Sequence, residues 1–183
     1  GSYVGATVQE PCCGYTDDPI WYLDFASLYP SIMQSHNFDF SSWVPPSRRG
    51  RATALAEESK LQIMEVEGSD GLRHMFVQAL PGQPNEGLLP QLLEMYLTAR
   101  AEKKRAMKRV KKQIADATDD AEKARLGMQL QVLDAEQQGL KICANSAYGF
   151  TGVNPDKAML ANPAIADSVT AMGRKHIEDT KQA

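Results

Sequence analysis

The sequence predicts an α+β fold in which a strand-bearing first part is followed by two long helices. Three observations carry this expectation. Residues 19–25 (Pro-Ile-Trp-Tyr-Leu-Asp-Phe) are a short, largely apolar run of aromatic and β-branched side chains, the composition of a buried strand. Two further runs, Leu61-Gln62-Ile63-Met64-Glu65-Val66 and Arg73-His74-Met75-Phe76-Val77, flank Gly68-Ser69-Asp70-Gly71 and read as a β-hairpin. From Leu88 the period changes to that of a helix, with Leu89, Leu92, Leu93, Tyr96 and Leu97 at three- and four-residue steps on one stripe.

Each element follows in order. Asp24 closes the first strand, a position where folds of this class place their chemistry. Residues 27–33 read as a turn entering a helix, since Pro30 is tolerated in a first helical turn. Residues 41–51, with Pro45, Pro46, Gly50 and three arginines, read as a loop. Pro81, Gly82 and Pro84 break the chain before the first long helix, which runs to about Ala115. Thr118, Asp119 and Asp120 supply the start of the next, with the Thr118 hydroxyl as cap and the acids favoured by the helix dipole. Lys111 and Lys112 suit the C-terminal end of the preceding helix for the converse reason. The second helix continues through Leu126, Leu130, Leu133 and Ile142, and so short a connection predicts a long antiparallel helical hairpin.

Composition narrows the function classes. Hydrophobic residues make up 43% and charged residues 23%, ordinary for a globular protein, and the formal net charge is -3. The distribution of charge says more than its sum. Residues 100–112 hold Arg100, Lys103, Lys104, Arg105, Lys108, Arg109, Lys111 and Lys112 against the single acid Glu102. Cys12, Cys13 and Cys143 form neither a disulfide framework nor a metal clip, and His36, His74 and His176 lack ligand spacing. No apolar run is long enough to span a bilayer, so no membrane association is expected. The chain opens on Gly1 and reads as a piece of something longer.

Lys141, Asn145 and Tyr148 stand at i, i+4 and i+7, which puts a charge, an amide and a ring on one helical face. Arg100 and Lys104 form another i, i+4 pair on the facing helix, with Arg100 roughly 9 Å along the axis from Lys141 if the turn centres near Ala117. Such groups could hold successive phosphates of a triphosphate. Taken alone, each feature has a plainer reading. An acid at a strand end is usually a turn former, a basic stripe is usually a solvated face, and Tyr148 could be a core aromatic. Lys103, Arg105 and Lys108 are read as solubilising charges, and the Leu89–Leu97 stripe as packing.

At these residues a family resemblance becomes visible. Asp24-Phe25-Ala26-Ser27-Leu28-Tyr29-Pro30-Ser31-Ile32 resembles the first polymerase motif of the family B, alpha-like DNA polymerases. Lys141-Ile142-Cys143-Ala144-Asn145-Ser146-Ala147-Tyr148-Gly149-Phe150-Thr151-Gly152 resembles the second. Gly5-Ala6-Thr7-Val8, Gly87-Leu88-Leu89-Pro90, Gln131-Val132-Leu133-Asp134 and Ser168-Val169-Thr170 agree best with the delta-type branch of eukaryotes and large DNA viruses. The resemblance covers the chain except for a weakly matching stretch, residues 48–73.

The resemblance implies a partial palm in residues 1–87, a fingers helical hairpin in residues 88–148, and a return into the palm in residues 149–183. It implies template-directed addition of deoxynucleotides to a primer 3′ end by two-metal phosphoryl transfer. Asp24 would then be the catalytic aspartate that ligates two magnesium ions, with the Phe25 carbonyl in the same shell. The backbone of Ser27 and Leu28 would touch the β and γ phosphates, and Tyr29 would lie under the deoxyribose and exclude a 2′-hydroxyl. Arg100, Lys104, Lys141 and Asn145 would hold the triphosphate, and Tyr148 and Gly149 would pack against the nascent base pair. The implied partners are primer-template DNA, deoxynucleoside triphosphates and, through other regions, a processivity factor. The implied place is the nucleus or a viral replication site.

One departure bears on activity. The family's third motif, a Tyr-Gly-Asp-Thr-Asp hairpin with a second metal-binding aspartate, is absent, and Thr118-Asp119-Asp120 lies before the second motif without strand flanks. A single carboxylate makes half a metal clamp, so the chain alone is expected to be inactive. Two other readings stay open on the residues: an inactive polymerase-derived nucleic-acid-binding module, or a structural protein whose helical hairpin docks on a partner.

Overall fold

Five helices surround a small antiparallel sheet in the computed structural model, which describes all residues except 1–3, 6, 9, 12, 22, 70, 80–85 and 183. Ala6, Cys12, Tyr22, Asp70, Pro81, Gly82 and Pro84, used above, lie outside the described residues.

Helix α1 spans Leu28–Ser35 and holds Pro30 in its first turn, where its missing N–H is not needed. It stops at Asn37, which takes the left-handed φ of 49°. Phe38 N–H then reaches back to the Met33 carbonyl at 2.9 Å and Asn37 N–H to that of Gln34 at 3.4 Å, a Schellman closure with asparagine in place of glycine. That closure turns Met33 and Phe38 together into the core, where both are fully buried.

Strand β1 (Trp43–Val44), a 3-10 turn (Pro46–Arg48) and helix α2 (Arg49–Ser59) come next. This corrects the loop expected over residues 41–51. Trp43 and Val44 pair with a sheet edge, Pro46 starts the 3-10 turn without needing an N–H, and Gly50 falls where a helix start tolerates it. The Arg49 guanidinium donates to the Arg73 carbonyl and holds α2 to the sheet.

The expected β-hairpin is present as β2 (Ile63–Glu67) and β3 (Arg73–Val77), with Met64 opposite Phe76 and Val66 opposite His74. The sheet order is β1-β3-β2. Gly71 accepts a φ of 74° in the connecting turn, where a side chain would be strained.

Helix α3 runs Leu88–Asp116 and helix α4 Asp120–Thr151, joined by three residues. The cap of α4 is Asp119, whose carboxylate accepts from Glu122 N–H at 3.0 Å, and not the Thr118 hydroxyl. The last turn of α3 holds no basic residue, so Lys111 and Lys112 sit further from its end than expected. Two side-chain contacts join the pair: Arg100 Nε donates to Gln137 Oε1 at 3.2 Å, and Lys103 Nζ lies 2.8 Å from Glu136. A step forward along α3 is thus met by a step back along α4. Helix α5 (Pro163–Gln182) opens on Asn162, whose Oδ1 accepts from Ala164 N–H at 3.1 Å.

The core gathers Ile32, Met33, Phe38, Val66, Phe76, Leu93, Ala144, Ile165, Val169 and Met172 from α1, the sheet, α3, α4 and α5. Phe38 and Phe76 meet with ring centroids 4.5 Å apart. No described residue of the run at 19–25 belongs to it. No described residue there is in a strand, and Ile20, Trp21 and Leu23 are 79%, 89% and 73% exposed. A strand needs a partner for its N–H and C=O groups, and no described residue of this segment pairs with β1-β3-β2.

Candidate functional site

The α1 start is anchored to the long helices at two points. Ser27, the residue before α1, has φ 56° and ψ 54°, an uncommon conformation for a residue with a side chain. Its hydroxyl lies 3.2 Å from Arg100 Nη1 on α3. Two residues on, the Tyr29 ring meets that of Tyr148 on α4 at 4.6 Å between centroids and a 37° tilt. Gly173 makes room for this ring from α5, because a Cβ there would stand 3.1 Å from Tyr29 Cε1.

Arg100 is therefore held from two sides, by Ser27 and by Gln137. Gln137 in turn donates to Asp134 Oδ1 at 2.9 Å. A guanidinium carries five N–H donors in a rigid fork, and these contacts leave donors for an anion. Gln137 and Asp134 were missed in the sequence, although Asp134 lies in a stretch that carries the resemblance. The signal lay in α4 positions level with Arg100, which a register set by Asp119 would have shown. With Gln137 level with Arg100, Lys141 stands four residues on, about 6 Å of axial rise instead of the expected 9 Å.

Lys141 and Asn145 are exposed on α4 and Lys104 on α3; among the described residues none of the three side chains makes a hydrogen bond or ion pair. Tyr148 is half-buried, and Gly149 is exposed with open space where a Cβ would be. The structure thus joins Ser27, Tyr29, Arg100 and Tyr148 by contact and leaves Lys104, Lys141 and Asn145 facing solvent.

Asp24 does not end a strand, which corrects the expected placement. It is exposed and lines an open cavity of about 600 Å³ with Trp21, Leu23, Phe25 and Leu28 on one side and Ile177, Thr180 and Lys181 of α5 on the other. Among the described residues no hydrogen bond or ion pair joins it to Arg100, Lys141 or Asn145. Among the described residues no three His, Cys, Asp or Glu side chains cluster as a metal site, and no helix is long and apolar enough to cross a membrane. Cys13 and Cys143 are free and exposed.

The model of DNA polymerase family B matches residues 1–183, and the chain belongs to that family. Its relatives are more particular. It is 42% identical over 180 residues to the DNA polymerase delta catalytic subunit of Mesocricetus auratus and 38% identical over 182 residues to that of Arabidopsis thaliana. It is also 36% identical over 172 residues to the DNA polymerase of guinea pig cytomegalovirus (strain 22122). These alignments cover 98%, 100% and 94% of this chain but 14%, 14% and 13% of the relatives, so the chain spans about a seventh of their length. The delta-type resemblance, read from the stretches at residues 5–8, 87–90, 131–134 and 168–170, agrees with these relatives.

Proposed function

We propose that the chain is the nucleotide-gripping part of a template-directed DNA polymerase, with residues 1–87 and 149–183 in the palm and α3 and α4 as the fingers hairpin. The observation that carries this is the double link from the first motif to the long helices: Arg100 of α3 to Ser27, and Tyr148 of the second motif to Tyr29. Two stretches more than a hundred residues apart meet at one place, through a tilted pair of tyrosine rings with the Arg100 cation beside them. Arg100, Lys104 and Lys141 supply three positive charges, and Asn145 an amide, for one triphosphate. The half-buried Tyr29, fixed against Tyr148, gives a sugar a rigid floor, which supports its reading as the gate against a 2′-hydroxyl.

The Asp24 carboxylate and the Phe25 carbonyl are oxygen donors, the type that magnesium prefers. One carboxylate and one carbonyl fit part of such a shell, and triphosphate oxygens and a second carboxylate would complete it. Bound there, the metal would neutralise charge developing on the transferred phosphoryl group. The chain's own residues bind and orient: the cations hold the triphosphate, Ser27 braces Arg100, and the tyrosines position sugar and base.

Equilibrium binding of a deoxynucleoside triphosphate with magnesium tests the cradle. Lys141→Ala should weaken binding by about 10-fold or more, the loss of one hydrogen bond to a charged group at roughly 1.5–3 kcal/mol. Lys157→Ala, exposed and outside the cradle, should bind as the parent does. Equal affinity of parent and Lys141→Ala would overturn the assignment.

A further inference from the structure

Six of the nine residues from Lys104 to Lys112 are cations: Lys104, Arg105, Lys108, Arg109, Lys111 and Lys112. All six are exposed, and none forms an ion pair among the described residues. The three that are not cations are the three that turn inward, with Ala106 and Met107 half-buried and Val110 buried. At about 100° per residue the six side chains fall within an arc of roughly 160° on the side away from the α4 seam. Glu102 lies at the edge of that arc, and Asp116, four residues beyond Lys112, lies within it at the C-terminal end of α3, so an acid stands at each end of the cationic run.

Like charges three and four residues apart destabilise a helix, and here they recur at Lys104/Lys108, Arg105/Arg109, Lys108/Lys111 and Lys108/Lys112. A chain of net charge -3 does not need this concentration for solubility. A bound polyanion would relieve it. The density also matches: six charges lie within about 12 Å of helix axis, while duplex DNA carries one per roughly 1.7 Å over both strands and 3.4 Å per strand.

We infer that this face of α3 binds the phosphate backbone of duplex nucleic acid, at a surface that adjoins the nucleotide cradle at Lys104 and runs away from it. The inference rests on the polymerase reading for its choice of nucleic acid over an acidic protein. Duplex is favoured over single strand because residues 101–115 contain no aromatic side chain, and the face is convex. Single-strand sites combine a groove with rings on which bases stack. Backbone contact alone implies sequence-independent, salt-sensitive binding. Lys112 lies about 18 Å along the axis from Arg100, so the duplex engaged here lies beyond the triphosphate and not over it.

The test is fluorescence anisotropy of the 183-residue chain with a labelled 20-base-pair duplex between 50 and 200 mM salt. The slope of log K against log salt should be about -4, and Lys108→Ala/Lys111→Ala/Lys112→Ala should flatten it by roughly 2 to 3. A control of equal charge change, Arg51→Ala/Lys60→Ala/Lys175→Ala, should leave the slope unchanged, and circular dichroism should show equal helix content in all three. An unchanged slope in the α3 variant overturns the inference, as does equal flattening in the control. Tighter binding of the matching single strand removes the duplex assignment. Competition by polyglutamate as effective per charge as DNA points to an acidic protein and also overturns it. A failed slope test beside weakened triphosphate binding by Lys141→Ala sinks this inference alone. The reverse pair of results sinks the cradle and leaves the polyanion face.

Discussion

Asn37, Asp39 and Gly87 show how single side chains set the geometry on which the site depends. Asn37 Oδ1 accepts from Gly87 N–H at 2.7 Å and Asp39 Oδ1 from Leu89 N–H at 2.9 Å, so two polar side chains after α1 satisfy the otherwise orphaned donors at the start of α3. Gly87 is required, since a Cβ there would stand 2.3 Å from Asp39 Cβ. This clamp sets where α3 leaves α1, and so where Arg100 meets Ser27. Beside it, His36 stacks on His176 with ring centroids 6.1 Å apart. Burial holds the His36 imidazole below its ordinary value, helped by the charges of His176 and Lys175. The folded state therefore favours neutral His36, and the stability this supplies is present above about pH 6.5 and lost as the pH falls below it. Tm should hold steady between about pH 8 and 7 and then drop towards about pH 5. His36→Gln should flatten that drop, and an unaltered profile would exclude His36 as its cause. The clamp was hidden in the sequence because its partners are 50 residues apart. Tyr29 stood out because it lies in a short motif, and Arg100 because it pairs at i, i+4 with Lys104.

At the scale of elements, legibility followed the source of each element's stability. The β-hairpin and the two long helices were readable, for their periodicity and turn residues are local. Residues 19–25 have strand composition, yet composition expresses a preference for a pleated, half-buried surface, and no described residue of that run pairs with a strand. Helix α5 escaped notice because its buried side is mixed: Asp167, Ser168, Thr170 and Gly173 are buried beside Ile165, Ala166, Val169 and Met172. The start of α4 was placed within a residue, but with the wrong cap. A carboxylate accepts from the helix N–H groups as a hydroxyl does and adds a charge suited to the dipole, which favours Asp119 over Thr118. Asp119→Ala should destabilise the protein by about 1 kcal/mol in denaturant unfolding, and Thr118→Ala by much less. The opposite ranking would restore the hydroxyl cap.

Across the whole molecule, one buried acid ties the sheet, α5 and the N-terminal segment together. Asp167 on α5 is 2% exposed. Its two oxygens accept from Ser69 N–H at 2.9 Å and Ser69 Oγ–H at 2.6 Å in the turn between β2 and β3, and His74 Nε2 lies 3.4 Å away. Ser69 Oγ also accepts from Val4 N–H at 3.0 Å, while Thr170 and Arg174 donate to the Val4 carbonyl, each at 3.0 Å. The connection matters to the site because α5 also presses Gly173 against Tyr29 and lines the cavity that holds Asp24. Asp167→Ala should cost about 2–3 kcal/mol, the range for hydrogen bonds to a charged acceptor, moderated by the exposure of Ser69. Asp167→Asn keeps the shape and one acceptor, so it should cost less. If the tie positions α5 as a unit, Asp167→Ala should also weaken triphosphate binding under conditions where the protein remains folded, through the loosened support of Tyr29. Loss of stability with unchanged triphosphate affinity would show that the sheet and the nucleotide pocket are mechanically independent.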